Sequence, residues 1–287
     1  MKKLFIPLVL FSFTFTALKA QKEVLFKMQY LPKHGYALLM KMDMNMEMNI
    51  SGDSTIMNSL KKSGQKMPMI MQMQSNSKMD VQTSAATSVN EVPMVMNIAQ
   101  LSAKMTMNGQ ESNLPIPNSG IQKMYGKFTK DGKMSLDSIS GIKLTDSVKE
   151  ATMKMIKNMQ GNIVFPDKAM KVGDTFVQDI PMDIPIAGMS AKMLSKTTYK
   201  LIAVESSKAY FDVKMELTMD MTGKAMTMDM TGGGDGKMIF DTAIGYPTTV
   251  QNNMKVIYSF AMPQAKNMKM NGKMNMLMDM QTTVAAN

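Results

Sequence analysis

The chain has 287 residues, of which 41 are methionine, and it contains no cysteine, no tryptophan and a single histidine. The lack of cysteine excludes disulfides and thiolate metal sites, and a single histidine excludes a zinc site built from several histidines. The formal net charge is +10, yet every basic residue is lysine. Because arginine supplies the planar fork that reads phosphates and guanine edges, we predict a solvated lysine-rich surface and no nucleic-acid partner.

Residues 1–20 have the pattern of a secretory signal peptide. A basic Met-Lys-Lys start precedes the apolar run Leu4–Phe15, and the small residue Ala20 stands at the exit. Cleavage there would begin the mature chain at Gln21, and no later stretch approaches the ~18 continuous apolar residues of a spanning helix. We therefore predict an exported protein without a transmembrane segment after signal removal, located in the periplasm, at the outer-membrane surface or outside the cell.

Strict alternation of apolar with polar residues predicts a long β-strand at Met40–Ile50. Side chains on a strand point alternately to its two faces, so this strand has one methionine face and one polar face. A shorter strand is predicted just before it, at Val24–Tyr30. The methionine alternation returns in four later segments, namely Met67–Met73, Met215–Met221, Met226–Met230 and Met268–Met280.

Glycine-containing pairs between these strands predict tight turns. Asn108-Gly109, Asp131-Gly132 and Asn271-Gly272 each have the residues that tolerate positive φ in a two-residue hairpin. The glycine-rich stretch Gly232–Gly236 lacks the Gly-Lys-[Ser/Thr] ending and the helix of a phosphate-binding loop. We interpret it as a flexible hairpin or a bulge.

The spacing of apolar residues changes after Gly141 from a period of two to a helical period. Thr145–Met159 places Val148, Met155, Ile156 and Met159 at helical spacing, and Gly161 follows as a stop signal. We predict one α-helix at about 145–159.

An internal repeat divides the chain. Asp131–Gly141 matches Asp235–Gly245 with six of eleven positions identical. The predicted organisation is a signal peptide at 1–20, an N-terminal β module at 21–143, a helix at 144–160 and a C-terminal β module at 161–287, with the two modules sharing one core. The predicted fold is mostly β: a curved antiparallel sheet or open barrel made from two related modules, with the 145–159 helix packed on its apolar face.

The segment Phe165-Pro-Asp-Lys, followed by Val172-Gly-Asp-Thr-Phe176, resembles a family of uncharacterised exported β-rich proteins found chiefly in Bacteroidetes. That resemblance implies a signal peptide and a β-rich body, and it implies no activity, cofactor or catalytic residue. From the residues themselves, Val172–Thr175 predicts a turn that starts a strand, in which Asp174 hydrogen-bonds to nearby backbone.

No arrangement of residues in the sequence predicts catalysis. A catalytic triad would have to use His34, which stands in a Pro-Lys-His-Gly turn without a nucleophile motif. Carboxylates such as Asp43 and Glu47, or Asp220 and Asp229, belong to polar strand faces. We predict a non-enzymatic protein with no catalytic residue, no cofactor and no assigned metal-binding residue.

Three explanations of the methionines stay open. They form the core of a structural β protein, they bind a hydrophobic, lipid-like ligand on an apolar face, or they bind Cu(I) or Ag(I) through soft thioethers. Our function hypothesis is an exported protein that binds a lipid or other apolar small molecule. Its predicted ligand-binding residues are Met42, Met44, Met46, Met48, Met69, Met71, Met215, Met219, Met276 and Met278.

Overall fold

A computed structural model describes residues 23–62, 64, 66–87, 90–113, 122–129, 134–140, 163–186, 189–222, 227–262 and 267–287. Within these ranges the chain forms strands and one short helix. In chain order they are β1 (His34–Ser51), α1 (Ser54–Lys62), β2 (Met69–Thr83), β3 (Val92–Met107), β4 (Gln110–Asn113), β5 (Gln122–Phe128), β6 (Met134–Ser140), β7 (Thr175–Ile186), β8 (Met189–Glu205), β9 (Lys208–Thr222), β10 (Thr227–Asp241), β11 (Tyr246–Met262) and β12 (Met268–Ala286).

All of these strands belong to one antiparallel sheet. Its order is β6-β5-β3-β2-β1-β12-β11-β10-β9-β8-β7, and β4 pairs with β3 beside this path. The two halves of the chain therefore lie side by side, and β1 and β12 meet along their whole length in the middle. In the described part of the chain β6 and β7 do not pair with each other, so the sheet is not closed. The predicted mostly-β fold, a curved antiparallel sheet, is confirmed.

The helix of the described chain is α1, in the connection between β1 and β2. Asp53 caps it, because its carboxylate accepts a hydrogen bond from the Thr55 amide at 3.0 Å. Lys61 and Lys62 complement the helix dipole in its last turn. The helix predicted at 145–159, the turn at Asp131-Gly132 and the signal peptide at 1–20 lie outside the described residues. The division into modules and the repeat remain predictions.

One predicted turn is confirmed and two are wrong. Asn108 and Gly109 join β3 to β4 with φ of 49° and 83°, as a hairpin turn requires. Asn271-Gly272 lies instead inside β12, and Gly232–Gly236 lies inside β10. At both places a side chain would meet a neighbouring strand or a packed ring, which favours glycine inside the strand.

Val24–Tyr30 is not a strand of the sheet, which corrects the sequence prediction. Residues 23–31, which we call the strap, form a single β-bridge between Val24 and Met170. The strap lies across one face of the sheet and is held there by the hydrogen bond from the Gln29 amide to the Gly245 carbonyl at 2.9 Å. Its alternation has the same cause as that of a strand, since one side packs against protein and the other faces water.

The strap covers two aromatic clusters at one end of the sheet. Phe26 packs into the phenylalanine cluster, where neighbouring ring centroids lie between 4.9 and 6.4 Å apart. Tyr30 stacks on Phe128 with a centroid distance of 3.4 Å, and Met28 packs against both clusters. The phenylalanine cluster consists of Phe26, Phe165, Phe176, Phe211 and Phe240 with Met170, Leu201, Ala209, Val213 and Met238; the tyrosine cluster consists of Tyr36, Phe128 and Tyr246 with Leu38, Val81, Val92, Met94, Met96, Met124 and Leu136.

The segment that carries the Bacteroidetes resemblance contributes to this core. Phe165 is 8 % exposed in the phenylalanine cluster. The turn before β7 forms as predicted, with the Asp174 carboxylate accepting a hydrogen bond from the Lys171 amide at 3.0 Å. Gly173 has a φ of 98°, which favours glycine at this position.

Candidate functional site

The register of the central strands aligns methionines in rows across the sheet. Met44 of β1 lies opposite Met276 of β12 and opposite Met73 of β2. Beyond them, Met73 lies opposite Met105 of β3, and Met276 lies opposite Met254 of β11. Cβ atoms of directly opposite residues are about 4.5–5.5 Å apart. The side chains of one row are therefore in contact range across five strands.

Parallel rows extend this arrangement along the strands. Met46 lies between Met274 and Met71, and Met71 lies opposite Met107. Met42 pairs with Met278, Met40 with Met280, and Met48 with Met69. We call this set the methionine lattice: Met40, Met42, Met44, Met46 and Met48 of β1, Met274, Met276, Met278 and Met280 of β12, Met69, Met71 and Met73 of β2, Met105 and Met107 of β3, and Met254 of β11.

The lattice is half-buried, unlike the aromatic end of the same face. Most of its methionines have intermediate exposure, and Met40 and Met107 are exposed at 40 % and 39 %. Only Met280 packs against the tyrosine cluster among them. The strap and its clusters thus cover one end of the face, and the lattice occupies the other end. Within the described chain, α1 makes no extensive contact with any strand.

Glycines of β10 show that the sheet bends toward the lattice face. Gly232 and Gly234 point to that face, because they pair with Val256 and Met254. A Cβ on Gly232 would lie 2.8 Å from the Lys255 carbonyl oxygen, and one on Gly234 would collide with the Asn253 carbonyl oxygen. Gly233 points to the opposite face, where an added Cβ would lie 3.3 Å from its nearest neighbour, the Met215 carbonyl oxygen. Crowding is severe on the lattice face and mild on the opposite face, which indicates that the lattice face is concave here.

The spacing of the flanking strands agrees with this bend. Strands two apart in a flat sheet are separated by about 9.6 Å. Cα atoms of β9 and β11 nevertheless approach within 8 Å of each other across β10. Glycine interrupts strands where a sheet bends sharply or a backbone approaches closely. This is the physical reason that Gly232–Gly236 is a strand rather than the predicted hairpin or bulge.

Gly272 has a related role in β12. It leaves room for the ring of Tyr258, whose hydroxyl would lie 2.7 Å from an added Cβ. The Tyr258 hydroxyl crosses β12 and donates a hydrogen bond to the Glu47 carbonyl of β1 at 3.4 Å. A side chain at position 272 would also collide with that carbonyl. Gly272 therefore serves cross-strand packing at the edge of the lattice, and this corrects its prediction as a turn.

The structure brings most of the predicted ligand-binding residues together. Met42, Met44, Met46, Met48, Met69, Met71, Met276 and Met278 lie in the lattice on the adjacent strands β12, β1 and β2. Met215 and Met219 of β9 point to the same face but lie beyond the bend at β10. Met215 packs against the phenylalanine cluster, and Met219, which is 5 % exposed, lies opposite Met230 and Met193. These two methionines are separate from the lattice.

Sequence reasoning left several lattice members out of the predicted site. Met73, Met105, Met107, Met254 and Met274 occupy places in the rows equal to those of the predicted residues. Each has the same alternation as its neighbours, so the signal was present. What the alternation lacks is the register between strands, which decides which methionines share a row.

The opposite face of the sheet carries mostly polar side chains, with some exposed aliphatic residues such as Leu277 among them. Glu47 and Lys273 form an ion pair at 2.8 Å there, with side chains 36 % and 63 % exposed. A shallow groove of about 520 Å³ carries Asp43, Asp235 and Asp279 among its lining residues. In the described ranges, no three His, Cys, Asp or Glu side chains are placed to hold a metal ion. This face has the chemistry of a solvated surface.

Most of the tyrosines with raised pKa values lie at the aromatic end, whereas Tyr258, whose pKa is also raised by burial, lies at the edge of the lattice. Burial raises the pKa of Tyr246 and that of Tyr199 to about 12. The hydroxyls of Tyr30 and Tyr246 lie 3.3 Å apart inside the tyrosine cluster. His34 lies at the start of β1, with Nδ1 2.7 Å from the Pro32 carbonyl oxygen. These shifts come from burial in a packed core and indicate no catalytic group.

Lysines flank the far end of the lattice. The connection from β1 to β2 leaves the sheet beside the pair Met48 and Met69. It carries the exposed residues Lys61, Lys62 and Lys66. An apolar surface therefore ends next to a basic segment.

No helix in the described ranges has the length and apolar character needed to span a membrane. The chain matches no protein-family model, and no curated protein is similar to it.

Proposed function

We propose that this protein is exported and binds an amphiphile with an apolar chain on the methionine lattice. The observation that supports the proposal is a continuous, half-exposed apolar surface on the concave face of the sheet. From β3 to β11 it measures about 19 Å across, and from Met40 to Met48 about 26 Å along the strand. Exposed apolar patches of several hundred Å² in proteins commonly mark binding surfaces.

Methionine suits such a ligand better than a rigid aliphatic residue would. Its unbranched side chain rotates about three bonds and remakes its contacts at low cost, so a methionine surface accepts apolar chains of different shape. Each methylene group that leaves water on binding contributes about 0.8 kcal/mol. Burial of the methylene groups of an ordinary lipid chain would therefore provide most of the binding free energy. The flexible methionines would select only weakly for the shape of that chain.

The basic segment next to the lattice supports an anionic headgroup. Lys61, Lys62 and Lys66 are exposed at the end where Met48 and Met69 lie. An apolar chain on the lattice with its headgroup toward this segment would gain both apolar contacts and charge attraction. The formal net charge is +10 for the whole chain and +7 after removal of Lys2, Lys3 and Lys19 with the signal peptide (10 − 3), and this positive charge favours an anionic ligand.

Two measurements test this proposal. Native mass spectrometry of the protein from its own cell envelope, without detergent, should show an excess of several hundred daltons that extracts into organic solvent. The purified protein should also bind a fluorescent fatty-acid analogue. Met44→Lys with Met46→Lys places two charges in the lattice and should weaken that binding at least tenfold.

The matched control is Asn45→Lys with Asn49→Lys, which adds the same charges on the polar face of the same strand. It should change the affinity by less than about twofold, because side chains of opposite faces do not share a surface. Equal losses in both variants, or a bare polypeptide mass together with no binding of the analogue, would leave the methionines as structural core only.

A further inference from the structure

Four methionines at the centre of the lattice occupy the corners of a rectangle. Met44 lies opposite Met276, and Met46 lies opposite Met274, on the adjacent strands β1 and β12. Opposite Cβ atoms are about 5 Å apart, and residues two positions apart along a strand are about 7 Å apart. All four side chains leave the same face of the sheet. Their thioethers therefore project from a rectangle of roughly 5 Å by 7 Å.

The dimensions of this rectangle suit one ion above its centre. The centre lies about 4.3 Å from each Cβ atom. A methionine sulfur lies about 2.8 Å from its own Cβ by standard bond lengths, and a metal–sulfur bond is about 2.3 Å long. Because these two lengths together exceed the distance to the centre, all four sulfurs can reach a common ion.

We propose that Met44, Met46, Met274 and Met276 form a binding site for a soft monovalent cation, Cu(I) or Ag(I). Thioethers are neutral, polarizable ligands that select Cu(I) over hard cations, whereas Mg²⁺ and Ca²⁺ require oxygen ligands. The neighbours of this group on the same face are also methionines, namely Met42, Met48, Met71, Met73, Met254 and Met278. They surround the ion with apolar groups and offer further sulfurs.

This site is independent of the proposed amphiphile binding, since it uses the sulfur atoms and the amphiphile uses the apolar surface. Leucine keeps the apolar character and approximate volume of methionine and lacks the sulfur. Met→Leu variants therefore separate the two functions within one protein. A variant that loses the metal and keeps the amphiphile is the expected result.

Neither cysteine nor a nearby histidine competes with the lattice for the ion. The chain has no cysteine, and its single histidine is His34. His34 and Met44 are ten residues apart on β1, which corresponds to roughly 33 Å along an extended strand. A His34→Ala variant should therefore bind the ion as the unmodified protein does.

The experiment is a titration of the purified protein, labelled with ¹³C at its methionine ε-methyl groups. Ag(I) is added directly, and Cu(I) is added under anaerobic conditions in competition with a chromogenic Cu(I) chelator. We expect the protein to withdraw at least one equivalent of Cu(I) from the chelator. Both ions should shift the methyl resonances of Met44, Met46, Met274 and Met276.

Replacing these four residues by leucine should weaken the affinity at least tenfold. The control replaces four methionines of the aromatic clusters by leucine, namely Met94, Met96, Met124 and Met170, which are at most 3 % exposed. That control should bind as the unmodified protein does, and circular dichroism verifies that both variants are folded. A protein that cannot compete with the chelator, or a lattice variant that binds as tightly as the control, would overturn the proposal. Retained Cu(I) binding without binding of the fatty-acid analogue would support the metal site and contradict the amphiphile.

Discussion

Methionine gives this protein a surface that few other residues provide. A side chain of similar volume such as leucine has one branched, rigid end, whereas methionine has a flexible chain and a polarizable sulfur. In the tyrosine cluster Met96 and Met124 are buried, at 3 % and 0 % exposure. In the lattice the same residue type remains half-exposed. The environment, and not the residue, decides whether a methionine is core or surface here.

The buried tyrosines of the core should lower the free energy of unfolding as the pH rises into the alkaline range. Burial raises the pKa of Tyr199 to about 12, while the unfolded chain ionises near 10. The stabilising contribution is complete below pH 10 and is lost as pH rises toward 12, because the unfolded state releases its proton first. The loss amounts to about 1.4 kcal/mol per pH unit once the unfolded tyrosine is ionised.

Tyr199→Phe should remove the part of the decrease in unfolding free energy at alkaline pH that comes from Tyr199. Its ring should stay stacked on Phe176, since the two centroids lie 4.7 Å apart without help from the hydroxyl. Urea unfolding at several pH values between 9 and 12 measures the slope of the unfolding free energy against pH. Tyr125→Phe, at a position that is 39 % exposed, is the control and should keep the slope of the unmodified protein. A Tyr199 variant with an unchanged slope would contradict the argument.

At the level of elements, β10 determines the curvature of the sheet. Its glycines remove side chains at places where the backbone of β11 approaches closely. Ordinary strand preferences disfavour glycine, and a Gly→Ala change in a strand without steric conflict stabilises by roughly 0.5–1 kcal/mol. The retention of glycine on the lattice face of β10 therefore follows from sterics and not from backbone flexibility.

Gly234→Ala and its neighbour Gly233→Ala form a matched pair that tests this explanation. The alanine methyl at 234 would collide with the Asn253 carbonyl, and we expect a loss of about 1–3 kcal/mol in unfolding free energy. At 233 the nearest atom, the Met215 carbonyl oxygen, lies 3.3 Å away, and this mild crowding offsets the gain from alanine, so the change should stay within about 0.5 kcal/mol. Chemical denaturation measures both. Equal effects at the two positions would refute a bend toward the lattice face.

Sequence reasoning predicted the elements well where the pattern is local. Alternation along Met40–Ile50 predicts a strand because the two faces of β1 meet different surroundings. The same rule fails for Val24–Tyr30, since a segment packed across a sheet alternates for the same reason as a strand. A second rule, the turn preference of glycine, fails at Gly232–Gly236 and Asn271-Gly272, where contacts between strands override it.

The site was predicted in part for a similar reason. Alternation identifies which methionines share a face of one strand, so Met42, Met44, Met46 and Met48 follow directly. It cannot show that β12 lies beside β1, because these strands are at opposite ends of the chain. Met215 and Met219 have equal alternation and lie beyond β10. Their separation depends on strand order, which only long-range pairing determines.

For the whole molecule, the strap connects the two aromatic clusters into one folding unit. Phe26 contacts Phe165, Phe211 and Phe240, with centroid distances of 5.2 to 5.8 Å. Tyr30 contacts the other cluster a few residues later. Loss of the strap should therefore weaken both halves of the sheet together.

Phe26→Ala should lower the unfolding free energy by about 3–5 kcal/mol, because it leaves a cavity among fully packed rings. Leu25→Ala, at a neighbouring side chain that is 62 % exposed, should change it by no more than about 0.5 kcal/mol. Hydrogen exchange in the Phe26 variant should accelerate in strands on both sides of the β1–β12 ladder. Faster exchange confined to β9 and β10 would show that the strap does not couple the halves.

The central position of β12 has a consequence for the order of assembly. β12 follows all other described strands along the chain, yet it lies between β1 and β11. Until it is in place, both neighbours are open edges rich in apolar side chains, and such edges recruit strands from other molecules. The pairing of β1 with β12 also joins residues far apart in sequence, which slows folding. Newly made chains would therefore pass through an aggregation-prone stage that ends only when β12 inserts, so a binding partner that shields β1 during that interval would raise the yield of folded protein.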